Sequence, residues 1–109
     1  MSWLALFSYF FGGVFVTNAI PHVVSGLMGR AFQSPFATPP GEGLSSSAVN
    51  VLWGFFNILV SYVLLSRVGA FTLNDARDAA AFGLGALIIS LLLASHFGRI
   101  NGGARPPRK

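Results

Sequence analysis

A chain of 109 residues with 53% hydrophobic and only 9% charged side chains makes one domain, and not a water-soluble one, in which about a quarter of residues carry charge. Its net charge of +4 sets seven basic residues against three acidic ones, the basic residues spread thinly between long uncharged runs with no interleaved basic and aromatic patch, so nucleic acid is not an expected partner. The absence of cysteine excludes disulfides, thiolate metal sites, iron-sulfur clusters and thiol catalysis.

The apolar excess points to an all-α integral membrane protein with three transmembrane helices, residues 1–109 forming a single membrane domain. A helix rising about 1.5 Å per residue needs roughly 20 apolar residues to cross a hydrocarbon layer about 30 Å thick. The first such run is LALFSYFFGGVFVTNAI, Leu4 to Ile20. Met1, Ser2 and Trp3 provide no positive region ahead of it, so it reads as a retained helix rather than a cleaved signal. Pro21 removes a backbone donor and crowds the preceding turn, which either stops the helix near Ile20 or kinks it. Val23, Val24, Leu27 and Met28 keep the stretch apolar as far as Arg30, and favour a helix kinked at Pro21 over residues 3–28.

Residues 29–45 form the connection, where Pro35, Pro39, Pro40, Gly41 and Gly43 oppose regular structure. Its Phe32 and Phe36 suit either a stiff interfacial connector or a lid, gate or docking surface folded back over the mouth of the bundle. Ser45, Ser46 or Ser47 can cap the second helix, expected over 46–66 with SAVNVLWGFFNILVSYVLLS at its heart. Thr72 with Asp75 three residues on fits a capping box for a third helix over 73–97, and Asp75 and Asp78 suit the positive end of its dipole. Residues 98–109, with adjacent prolines and no apolar period, read as a solvated tail.

Three crossings put Arg30, Arg99, Arg105, Arg108 and Lys109 on one side and only Arg67 and Arg77 on the other. Because excess lysine and arginine stays cytoplasmic, the expected arrangement is a bacterial-style inner-membrane protein, amino terminus out and carboxyl tail in.

Within the spans, polar residues recur at helical spacing. Ser46, Asn50, Gly54, Asn57 and Ser61 form one narrow face, leaving Leu52, Phe55, Phe56, Leu59 and Val63 for the opposite side. Asn18, His22, Ser25 and Gly29 make a similar row in the first helix. The third helix carries a stripe of small residues: Ala79, Gly83, Ala86, Ser90 and Ala94. An amide cannot be satisfied by lipid, so the asparagine face meets protein or water. On one reading the three faces converge and pack the bundle, with Gly54, Gly83, Ala86, Ser90 and Ala94 letting backbones approach. On the other, Asn18, His22, Asn50, Asn57 and Ser61 line a polar cavity or pathway.

His22 is the ionisable group placed within the membrane, and next to Pro21 it can also serve a backbone carbonyl freed by the kink. His96 sits near the interface. The two histidines are weak candidates for metal or bis-histidine haem, since their helical phases differ and no carboxylate stands beside them; no cofactor is expected. The acids Glu42, Asp75 and Asp78 lie at membrane edges or in loops, and no serine sits in a nucleophile elbow, so no catalytic residue is assigned.

The leading expectation is therefore a protein that works by packing, as an accessory or structural subunit of a membrane complex or as a homo-oligomer, its partners being the lipid bilayer and other membrane subunits or further copies of itself. The alternatives are a small-solute or ion transporter or channel with an asparagine- and histidine-lined path, and a membrane enzyme or haem carrier using His22.

Overall fold

The computed structural model describes residues 2–105. It contains three helices, α1 (Trp3–Leu27), α2 (Ser47–Ser66) and α3 (Ala76–Asn101), each long and apolar enough to cross a membrane. A short antiparallel ribbon in the first connection pairs β1 (Phe32–Gln33) with β2 (Leu44–Ser45), in the register Phe32 with Ser45 and Gln33 with Leu44. The basic Arg108 and Lys109 expected to anchor the tail lie outside the described residues.

Helix ends follow local chemistry. Ser2 caps α1 by accepting from the Ala5 amide at 3.0 Å, and Ser46 caps α2 by accepting from the Val49 amide at 3.2 Å. At α3 the cap is shifted by three residues from the expected box. Asp75 itself is the N-cap, its Oδ1 accepting from the Arg77 and Asp78 amides at 2.8 and 3.4 Å. Asp78 then reaches back to the Thr72 amide at 3.0 Å. A carboxylate accepts from amides better than a hydroxyl at the positive end of a helix, so Asp75 takes the position assigned to Thr72. At the far end α3 continues to Asn101 and stops at Gly102, whose φ of 88° is the left-handed conformation that closes helices.

α1 is continuous through Pro21, where the sequence suggests a kink. It is the central helix. α2 and α3 each pack extensively on α1 and make no comparable contact with one another, so the molecule is a slab of 47 × 34 × 22 Å rather than a closed three-helix bundle. Adjacent glycines explain this. Successive helical positions diverge by about 100°, and a Cβ at Gly12 would strike Leu65 of α2 while one at Gly13 would fall on the Phe82 carbonyl of α3. Gly54 of α2 lies against Val23 and the Ala19 carbonyl, and Gly85 of α3 against the Phe10 carbonyl. Lipid gives helices no hydrophobic drive to associate, so this close van der Waals contact is what holds them.

The face that α3 buries differs from the expected stripe. Asp78 and Gly85 are its buried residues among those described, and Phe82 and Ala86 lie against Gly13. Gly83, Ser90 and Ala94 are exposed, and a Cβ on Gly83 would meet nothing within 4 Å. Smallness alone did not select the packed face: Ser90 satisfies its hydroxyl on its own helix, donating to the Ala86 carbonyl at 2.6 Å.

Candidate functional site

Every polar side chain deep in the α2 row is used at the seam with α1. From the N-terminal end of α1 inward, Ser8 Oγ donates to the Leu64 carbonyl at 2.5 Å and Ser61 Oγ to the Gly12 carbonyl at 2.7 Å. Asn18 Nδ2 donates to Asn57 Oδ1 at 3.0 Å, and Asn57 Nδ2 to the Trp53 carbonyl at 2.8 Å. Nearest the first connection, His22 Nδ1 lies 2.7 Å from Asn50 Oδ1. These four rungs tie the two helices along the seam. Asn50 and Asn57 are both 0% exposed. The row is a hydrogen-bonded seam within the chain.

The sharpest geometry is where the seam meets the connection. Asn50 Nδ2 points at three carbonyls, those of Phe32, Ser45 and Ser46, at 3.1, 3.1 and 3.0 Å. Carbonyls only accept, so the amide nitrogen must face them and Oδ1 must face His22. An Oδ1 that accepts fixes the proton on His22 Nδ1 and leaves the lone pair of the neutral ring on Nε2. The imidazole is walled by the edges of Phe32, Trp53 and Phe97, with ring centroids 5.5, 6.4 and 6.2 Å away. His22 thus serves a side-chain amide on α2; the suggested bond to a carbonyl freed by Pro21 is not the one it makes.

The connection folds back over this end of α1 and α2 and is built around Ser34. Its carbonyl accepts from the amides of Ala37 and Gly41 at 3.4 and 2.8 Å, its amide donates to Gly43, and its hydroxyl lies 2.5 Å from that of Ser45. Gly41, at a φ of 76° that a side chain would resist, turns its carbonyl to His96 Nε2 at 2.7 Å. Gln33 and Asn101 exchange amide bonds at 3.4 and 3.3 Å. Asn50, His96 and Asn101 therefore fasten one loop to both outer helices. Sequence reading missed Gln33, Ser34 and Asn101; a glutamine and serine preceding the proline-rich stretch were the available signal.

The two histidines sit near one ring, Phe97, whose centroid is 6.2 Å from that of His22 and 5.1 Å from that of His96. Each has one nitrogen engaged, His22 Nδ1 with Asn50 and His96 Nε2 with Gly41. Among the described residues no group of three or more histidine, cysteine or acidic side chains is placed to hold a metal ion.

Of the other residues singled out in the sequence, Gly54 is buried in the seam and Ala86 touches Gly13, whereas Gly83, Ser90 and Ala94 face outward. Ser90 and Ala94, with Thr17, Ile20, Pro21 and Phe97, line a lateral groove of about 520 Å³ between α1 and α3. Thr17 and Pro21 both line this groove, and Pro21 has no N–H to offer the carbonyl of Thr17 one turn earlier. Comparison with protein families, curated proteins and solved structures finds no match for the chain.

Proposed function

We propose that this chain works by association inside the membrane, as an accessory or structural subunit of a larger membrane complex or as a homo-oligomer. One observation supports this reading above the others: the polar row is consumed within the chain, while the α1–α3 groove beside Pro21 is left open. A carbonyl without its helical donor is costly in lipid unless a neighbouring helix or a hydroxyl supplies one, and small residues such as Ser90 and Ala94 permit the close approach that would deliver it. The expected kink at Pro21 belongs to the same proposal, since opening the helix there widens the groove.

The bacterial inner membrane, with the amino terminus outside, is the setting we propose. It rests on the distribution of charge, Arg30, Arg99 and Arg105 lying toward the end capped by the connection and Arg67 and Arg77 toward the other.

Because the chain has no cysteine, single substitutions report proximity cleanly. Ser90→Cys and Ala94→Cys should form disulfide-linked dimers in membranes, or crosslink to a copurifying larger polypeptide, while Leu59→Cys on the outer face of α2 should not. A solitary monomer in mild detergent that turns over a substrate, or that carries flux in liposomes sensitive to His22→Ala, would instead favour the enzyme or transporter reading.

A further inference from the structure

α3 ends in a turn that folds the chain back on its own last residues. Gly102 takes the left-handed conformation, with a φ of 88°, and the Ala104 amide returns to donate to the Gly98 carbonyl at 3.1 Å. The approach is so close that a Cβ on Gly98 would stand 2.9 Å from the Ala104 nitrogen and 3.2 Å from its Cα, and a side chain there would push the turn away. The fold-back sets Arg105 beside the last turn of α3, where Arg99 stands. The two arginines line one cleft of about 480 Å³, whose other described walls are Gly98, Gly102 and Ala104.

We propose that this cleft binds a phosphate group, its oxygens held between the guanidiniums of Arg99 and Arg105. The proposal is independent of how the chain associates within the membrane. Two like charges are brought together here by a specific turn, an arrangement that Coulomb repulsion opposes until an anion lies between them. A guanidinium carries five N–H donors in a planar fork that matches phosphate oxygens. Arg99 spends one donor of Nη1 on Ser95 Oγ at 2.9 Å, a neutral hydroxyl that orients the group without cancelling its charge. Arg105 has no hydrogen-bond or ion-pair partner among the described residues.

The two cations are not offset by acids. Residues 99–109 contain four basic side chains and no acidic one. Of the three acids in the chain, Asp75 and Asp78 stand at the opposite end of α3, about 30 Å away at 1.5 Å per residue. Glu42, in the connection, is the one acid at the near end, where Arg30 matches its charge, and the described lining of the cleft includes no carboxylate. The carboxyl end of a helix carries about half a negative charge, which two guanidiniums outweigh. A lipid headgroup and a dissolved phosphate offer the same oxyanion, and experiment tells them apart.

The test uses the full chain in phosphatidylcholine nanodiscs. In one arm a low mole fraction of phosphatidylglycerol is added and retained lipid is measured by native mass spectrometry; in the other, inorganic phosphate is titrated in and its phosphorus NMR linewidth followed. Phosphatidylglycerol retained with roughly tenfold preference over phosphatidylcholine, the scale of one charge-assisted contact, and not displaced by phosphate assigns the cleft to a lipid headgroup. Saturable broadening of the phosphate resonance assigns it to a dissolved ligand. In whichever arm binds, Arg105→Gln should weaken binding roughly tenfold and Arg105→Lys should restore part of it. Gly98→Ala keeps every charge but forces the Ala104 turn away, and should weaken binding nearly as far. Arg30→Gln removes one charge from the same end and should weaken it by less than about twofold, the effect of a screened surface charge. An unaltered chain that binds neither ligand overturns the proposal without any variant having to fold. Gly98→Ala binding as well as the unaltered chain, or Arg30→Gln losing as much as Arg105→Gln, also overturns it, because diffuse charge and not a built cleft would then be responsible.

Discussion

Asn18 donates a hydrogen bond of 3.0 Å to Asn57 Oδ1 in the middle of the α1–α2 seam, and Asn57 Nδ2 in turn donates to the Trp53 carbonyl at 2.8 Å. A buried polar pair of this kind has an asymmetric response to substitution: removing one partner strands the other, whereas replacing both removes the need for a bond at all. Asn57→Leu alone should destabilise the fold by about 1–2 kcal/mol, and Asn18→Leu with Asn57→Leu should recover a large part of that loss. Reversible unfolding in mixed micelles measures both. Additive losses in the double variant would mean that the two side chains do not depend on each other.

The α2 side of this seam was legible from residue types, because asparagines in an apolar run must turn from lipid and their spacing left one face for them. The partners were only half legible. Asn18 and His22 stand in a row on α1, but Ser8, which donates to the Leu64 carbonyl, and Gly12, which receives Ser61, lie in a stretch of aromatic residues and glycine with no polar period.

The α3 face was not legible, for a definite reason. Gly83 and Gly85 are two positions apart and so about 200° apart around the helix, and with no amide to break the tie either could mark the packed side. The structure chooses Gly85, where a Cβ would fall on the Phe10 carbonyl, and leaves Gly83 in the open. Gly85→Ala should therefore cost about 1–3 kcal/mol through overpacking between α1 and α3. Gly83→Ala should be neutral or stabilising by about 0.5–1 kcal/mol in the monomer, since it only restricts the unfolded backbone. Thermal unfolding of the two variants in the same detergent separates them, and equal losses would place Gly83 in a contact that the single chain does not contain.

The aromatic pattern of the connection suited a stiff interfacial connector as well as a segment folded over the bundle mouth, and did not say what fastens it. Those fastenings are between residues far apart in sequence, such as Gly41 with His96 and Gln33 with Asn101, and a long-range bond leaves no local periodicity to read. Asn50 is the strongest of them, because its one amide group reaches the carbonyls of Phe32, Ser45 and Ser46 while its oxygen holds His22. Asn50→Leu should loosen the whole connection, raising amide exchange across residues 32–45 by roughly 30-fold or more, the effect of losing about 2 kcal/mol of hydrogen bonding. His96→Phe removes the single bond to Gly41, whose amide is still held by the Ser34 carbonyl at 2.8 Å, so its effect should be about fivefold and confined to the turn around Gly41. Hydrogen exchange followed by mass spectrometry in nanodiscs resolves the two patterns. If both substitutions opened the loop equally, the short ribbon and not the Asn50 amide would be what holds it down.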